Sequence, residues 1–185
     1  MGSAAPSVVT IYLSLVEDYD REEYLRAGGE EPSPRSKVLI RFESRPPDEA
    51  GFYMPDDGEL PRIFVYRSGF AEDPLHRAID VARAATDPLG ELIALSHELG
   101  HHELVLRGHG TGIFDRDRPI ESYTEEAGAW FLARELLAKR GFVDWTEFDR
   151  RAEHSLKTYE EGLGLASDVT GAIRERSKAL LTAAG

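Results

Sequence analysis

The sequence predicts an α+β domain in which a small antiparallel sheet packs on one long, motif-bearing helix and further helices follow. Three observations predict it. Apolar and polar residues alternate between Lys37 and Ser44, the apolar spacing turns helical after Gly69, and 185 residues suit one domain. By size scaling such a chain buries roughly 70% of the surface its unfolded form exposes, enough for a core without disulfides. Within a single domain spanning 1–185, residues 1–70 are expected to be mainly strands, 71–141 to hold the motif helices and 142–185 the C-terminal helices.

Val8 to Val16 is a continuous apolar, β-branched run that suits either a buried strand or the start of a helix. Gly28 to Pro34, rich in glycine, proline and acid, reads as loop. Val38, Ile40 and Phe42 then alternate with Leu39, Arg41 and Glu43, the period of a half-buried strand. A second short strand is expected over Gly51 to Met54, after which Pro55-Asp56-Asp57-Gly58 turns the chain into a third, Arg62 to Arg67.

Asp73 with Pro74 supplies an N-cap and first-turn proline, and Leu75, Ala78, Ile79, Ala82 and Ala85 continue at helical spacing. Asp87 and Pro88 repeat the signal. They open a helix carrying Leu92, Leu95, Leu99 and Val105 or Leu106, with Gly108 as its stop. His109 to Pro119 reads as loop, and Ser122 starts a helical pattern that reaches Arg140 and ends at Gly141. Asp144 with Glu147 marks another start, followed by the stripe Trp145, Phe148, Ala152, Leu156 and Tyr159, a pattern of core packing more than of a cofactor box. Gly162 and Gly164 break that stripe, and a last helix is expected from about Ser167 to Leu181.

Composition narrows the chemistry. The chain has no cysteine, which removes thiolate metal sites and thiol catalysis, fits a reducing compartment, and leaves His, Glu and Asp as metal ligands. A net charge of −12 disfavours direct nucleic-acid binding, which depends on Lys and Arg neutralising phosphates. No apolar run approaches the roughly 18 residues of a membrane span, and Met1 to Pro6 has no basic segment of a signal peptide. A cytoplasmic protein is expected.

The segment Ser96-His97-Glu98-Leu99-Gly100-His101-His102 contains His-Glu-x-x-His. At 3.6 residues per turn His97 and His101 lie one above the other on a helix face and can aim a ring nitrogen at one ion. Neutral imidazoles suit zinc, and a catalytic zinc takes three protein ligands and keeps its fourth position for water, whose pKa it lowers to about 7. Glu98, one step round the helix, is placed to take that water's proton. The motif also arises by chance among ordinary surface residues, so its position within a predicted helix is what strengthens it.

Two histidines need a third ligand. Metzincin spacing fails, because Leu104 and Arg107 stand where that motif has glycine and histidine. The alternative is a carboxylate on the following helix, where Glu125 and Glu126 are adjacent. Ser122 with Glu125 fits a capping box, which already gives Glu125 a structural task. Glu126 instead heads the stripe Ala129, Trp130, Ala133, Leu136 and Leu137, and a carboxylate on a buried stripe is costly unless paired or bound to metal. Glu126 is the first candidate and Glu125 the second, with Asp115 and Asp117 as a fallback.

His97 to His101, followed after a spacer by Glu126-x-x-Ala129-x-x-Leu132-Ala133-x-x-Leu136-Leu137, resembles the ImmA/IrrE metallopeptidases. The likeness covers roughly Lys37 to Arg140, and Gly51-Phe52-Tyr53 with Ile63-Phe64-Val65 is similar to that family's hairpin before the active-site helix. Departures fall at Leu132, Trp130, Ala138 and Lys139. The resemblance implies a zincin-type domain that binds zinc through His97, His101 and Glu126, with Glu98 as catalytic base. It further implies a bacterial endopeptidase acting on a protein partner, such as a helix-turn-helix transcriptional repressor. The other functional class is a zinc-binding regulatory or interaction module with little or no proteolysis.

Between the two metal motifs, His109 and Tyr123 are the candidates for an oxyanion stabiliser. His102 lies about 100° round the helix from His101 and is expected to face solvent or a nearby carboxylate. His76 and His154 read as ordinary helix residues, and the C-terminal helices as cover for the domain or a partner-binding face.

Overall fold

Ser7 settles the ambiguous N-terminal run as helix. Its hydroxyl accepts from the Thr10 amide at 3.1 Å and caps α1 (Val8–Tyr19), whose Ile11, Tyr12, Leu15 and Val16 are buried at helical spacing. Asp20 ends α1 and caps the short α2 (Arg21–Arg26), its carboxylate accepting from the amides of Glu23 and of Ile40 in the first strand. The expectation that 1–70 is mainly strand is therefore corrected. A β-branched run favours strands only where no cap and no 3.6-residue stripe compete, and here both do.

The computed structural model describes residues 5–33, 36–44, 51–55, 60–71 and 76–183. Three strands, β1 (Leu39–Glu43), β2 (Gly51–Met54) and β3 (Arg62–Tyr66), form one sheet in the order β1-β3-β2. Ile40 and Phe42 on β1, Tyr53 on β2, and Ile63 and Val65 on β3 are buried, as the alternation requires. The sheet is not all antiparallel, however. β2 pairs antiparallel with β3, Tyr53 opposite Ile63, whereas β1 runs parallel to β3 with Ile40 opposite Ile63. Alternation identifies the buried face but not the direction of the neighbour, and β2 takes the far edge instead of lying beside β1.

α3 (Ala78–Arg83) is shorter than the spacing suggested and starts after Arg77, which makes no side-chain cap. The Asp73-Pro74 signal lies outside the described residues, as do Asp56, Asp57 and Gly58 of the expected turn. α4 (Pro88–Leu106) begins where expected, with the Asp87 carboxylate accepting from the Gly90 amide at 2.9 Å. Then come α5 (Pro119–Ala138), α6 (Trp145–Leu163) and α7 (Ser167–Ala183). The class is α+β, and α4 lies at its centre, with Leu92, Ile93, Leu95 and Leu99 buried in the same core as the sheet and α1. Among the described residues no helix is long and apolar enough to cross a membrane.

α5 starts one turn earlier than Ser122. Pro119 opens it, and Ser122 sits inside, its hydroxyl donating to the Asp115 carbonyl at 2.8 Å and accepting from the Asp115 amide at 3.0 Å. The capping box is thereby corrected: Glu125 does not reach back to Ser122. Proline at a first helical position competes with the serine signal and wins, because its missing amide is one the helix start cannot satisfy anyway.

Candidate metal centre

α4 presents His97 and His101 on one face, and α5 brings a carboxylate to them. The crossing is close because residue 100 is glycine: a Cβ there would lie 2.1 Å from the Ala129 carbonyl oxygen. Glu126, one turn before Ala129, then faces both imidazoles. His97 Nε2 lies 3.3 Å from Glu126 Oε1, and His101 Nε2 lies 3.3 Å from Glu126 Oε2. Ligand atoms of these three residues lie within 4.8 Å of one another, the one such group of His and carboxylate among the described residues.

The donor set fits a zinc ion. Two atoms each about 2.0–2.1 Å from a tetrahedral zinc stand about 3.3–3.4 Å apart, the separation seen on both sides of Glu126. The carboxylate is also divided in its hydrogen bonding. Oε1 accepts from Trp130 Nε1 at 3.0 Å and from Ser155 Oγ at 2.7 Å, while the buried Oε2 has no hydrogen-bond partner. A buried acceptor is costly to leave unmade, so Oε2 is a free donor of electrons toward a cation. Burial pushes the Glu126 carboxyl up, but the two imidazoles outweigh it and hold the group well below the usual range.

The imidazoles are oriented mainly by rings. His97 stacks on Trp130 with centroids 4.1 Å apart and planes 19° from parallel, in place of any bond at its buried Nδ1. His101 lies parallel to the Tyr53 ring of β2, 4° between planes. Contacts of this kind would hold both rings in the direction that ligands to one ion need.

Glu98 lies under β2. It is 7% exposed, and a Cβ on Gly51 would come within 3.2 Å of its Oε1, so a larger residue there would have to displace the Glu98 side chain by a few tenths of an ångström. Burial raises its carboxyl to about 7; the neighbouring Glu126 adds to the rise, while His101 and the Tyr53 backbone amide oppose it. A carboxylate of that affinity can take a proton near neutrality and give it back.

His102 is corrected. It is 1% exposed, not facing solvent, and its Nδ1 lies 3.3 Å from the Tyr53 hydroxyl; burial pushes the ring's affinity for protons down to about 4. The 100° step from His101 turns it toward β2 instead of outward. Neither oxyanion candidate lines the cavity at the histidines. Tyr123 is fully buried, its hydroxyl accepting from Arg174 Nε of α7 at 2.6 Å, and it does not line the cavity at the histidines. His109 is exposed and lines a separate groove with Thr111, Arg118 and Glu121.

Glu125 and the fallback aspartates have other tasks. The Glu125 carboxylate accepts from the amides of Thr111 and Gly112 and from the Thr111 hydroxyl, so it pins the loop before α5. Asp115 accepts from the Asp117 amide at 2.9 Å in the same loop. His154 is exposed on α6, and His76 packs near Phe70.

Two site residues were missed. Ser155 and Tyr159 come from α6, the helix read as core: the Ser155 hydroxyl donates to Glu126, and Tyr159 lies close enough to Glu126 and Glu98 for both charges to act on its phenol. Burial and then those two carboxylates hold that phenol well above its usual range, so it stays protonated. The available signal was a polar-tipped aromatic at the end of an apolar stripe, the same kind that singled out Glu126. Tyr159 lines a cavity of about 110 Å³ with Phe52, Ile113 and Phe114, and a second of about 630 Å³ with Trp130, Arg150, Arg151 and His154. Gly51, His97, Glu98 and Glu126 line both, so these residues lie where the two cavities meet.

Comparison of the chain with known protein families, with curated proteins and with solved structures finds no match.

Proposed function

We propose that the chain is a zinc-dependent metallopeptidase that hydrolyses peptide bonds in a protein partner, with His97, His101 and Glu126 as zinc ligands and Glu98 as general base. One observation carries the proposal: each histidine Nε2 stands 3.3 Å from a different oxygen of one buried carboxylate, the spacing that zinc ligands adopt. The adjacent, buried Glu98 adds the acid–base group that a purely structural zinc site does not need.

A zinc ion held by these ligands supplies Lewis-acid polarisation of a carbonyl and a bound water acidic near neutral pH. Glu98 takes one proton from the attacking water, keeps it beside the scissile bond under β2, and returns it to the leaving nitrogen. Trp130 and Ser155 hold Glu126 in place from one oxygen, and Tyr53 keeps His101 aligned. The likeness of His97 to His101 and Glu126 to Leu137 to the ImmA/IrrE motifs supports an endopeptidase of the bacterial cytoplasm, and through it a helix-turn-helix repressor as the partner.

The test pairs metal content with cleavage. Wild-type protein and Glu98→Gln are analysed for zinc and incubated with a proteome-derived peptide library, products being read by mass spectrometry. Equal zinc in both and cleavage only by the wild type is the expected result. Zinc binding with no wild-type cleavage leaves an interaction module, and equal cleavage by Glu98→Gln removes its role as base.

A further inference from the structure

We propose that Tyr159 is the group that hydrogen-bonds the oxyanion formed at the scissile carbonyl, a catalytic role that rests on the metallopeptidase reading above. Its ring is set by α6 on one side, where it packs against the core, and by Phe114 on the other, edge to face at 5.5 Å and 89°. It lines the same cavity walls as Glu126 and Glu98, the proposed ligand and base that flank the scissile carbonyl. Tyr159 also lines both cavities that meet at the metal ligands, so a chain crossing from one to the other passes it.

Among the described residues on those walls, the other hydroxyls and the two guanidiniums are already engaged, and the His154 ring lines only the larger cavity. The Tyr53 hydroxyl is engaged with His102, the Ser122 hydroxyl with Asp115, the Thr158 hydroxyl with the His154 carbonyl, and the Ser155 hydroxyl with Glu126. Arg150 and Arg151 are held by Glu147. Of the hydroxyl, guanidinium and free imidazole donors among the described residues on those walls, Tyr159 alone lines both cavities.

The step balances without any added reactant. Water loses one proton to Glu98, its oxygen bonds the acyl carbon, and the carbonyl π pair moves onto oxygen, where Tyr159 donates a hydrogen bond without giving up its proton. The pair then returns, the carbon–nitrogen bond breaks, and Glu98 delivers the proton to nitrogen, leaving a carboxylic acid and an amine. A donor aimed at charge that exists only during reaction changes turnover much more than substrate binding.

Tyr159→Phe keeps the ring and its contact with Phe114 and removes only the hydroxyl. Two readouts are made on the zinc-loaded protein. Calorimetry measures affinity for an alanyl phosphinic tripeptide, whose tetrahedral phosphinate places an anionic oxygen where cleavage develops one; competition with a chelator measures zinc affinity. Weaker phosphinate binding by about 10-fold or more, with zinc affinity unchanged, is the expected result, together with a kcat lower by about 10²–10³ at unchanged KM on any peptide the wild type cleaves. Equal phosphinate affinity in the two proteins, or no binding by either, overturns the role. A fall in zinc affinity with normal turnover once zinc is saturating also overturns it, because Tyr159 would then act only by positioning Glu126. The metallopeptidase reading fails separately: wild type that binds phosphinate more tightly than Tyr159→Phe yet cleaves no peptide retains the donor and loses the reaction.

Discussion

The Ala129 carbonyl oxygen occupies the space beside Gly100 so closely that a Cβ there would sit 2.1 Å away. A glycine inside a helix normally costs about 1 kcal/mol relative to alanine, so Gly100→Ala would stabilise α4 were it isolated. Here the close crossing outweighs that gain, and α5 must move away. The expected outcome is a loss of about 1–3 kcal/mol, each kcal/mol lowering Tm by about 2–4 °C at this chain length, together with lost zinc binding because Glu126 retreats from the histidines. Thermal unfolding and elemental analysis of the variant check both. A higher Tm would mean that the crossing does not depend on glycine.

Glu126 uses one oxygen for support and leaves the other free, and variants of the supports should tell the two apart. Ser155→Ala and Trp130→Phe each remove one donor to Oε1 while leaving Oε2 and the histidines in place. Each is expected to weaken zinc binding by about 10-fold, the scale of a lost outer contact, whereas Glu126→Ala removes a ligand and should abolish stoichiometric zinc. Chelator competition provides the ranking. Undiminished zinc in Glu126→Ala would move the third ligand elsewhere.

What could be read from the chain was what periodicity and burial cost determine locally. The i, i+4 histidines, the glutamate at the head of an apolar stripe, and the inward face of each strand all follow from one element's own geometry. The misreadings concern relations between elements. Nothing local to Leu39–Glu43 specifies that its neighbour is β3 running parallel, and nothing near Ser155 or Tyr159 says that α6 leans over the metal ligands. Glu126 was selected over Glu125 through a capping box that does not form. Burial distinguishes the two instead, since Glu126 is 1% exposed beside the histidines and Glu125 is turned to the loop.

Glu23 gives a pH dependence remote from the metal ligands. Burial acts to raise its carboxyl, but hydrogen bonds and charge from Arg77, with Arg26, outweigh that and lower it from 4.5. A carboxyl lowered in the fold binds its proton more readily when unfolded, so its stabilisation is present above about pH 4.5 and is lost as pH falls through the lower folded value. Urea unfolding of wild type and Glu23→Gln should therefore show a gap that is constant near neutrality and shrinks below pH 4.5. A gap independent of pH would show that Glu23 contributes through packing and not through charge.

Glu125 supplies the complementary test, because it carries the same carboxylate one position before Glu126 but is half-exposed and turned to the loop. Its two oxygens accept three hydrogen bonds from Thr111 and Gly112, at 2.9–3.1 Å, and hold the segment that leads to Ile113 and Phe114 at the rim of the smaller cavity. Charge-assisted bonds of this kind contribute about 1.5–3 kcal/mol when buried and less in a half-exposed loop such as this one. Glu125→Ala is expected to cost about 1 kcal/mol and to leave zinc affinity as it was, while the Thr111 and Gly112 amides exchange faster with solvent. Hydrogen exchange and chelator competition on the same sample read the two effects separately. Loss of zinc without faster exchange at 111 and 112 would assign the ligand to Glu125 and would require α5 to turn by one residue, about 100°, carrying Ala129 away from Gly100.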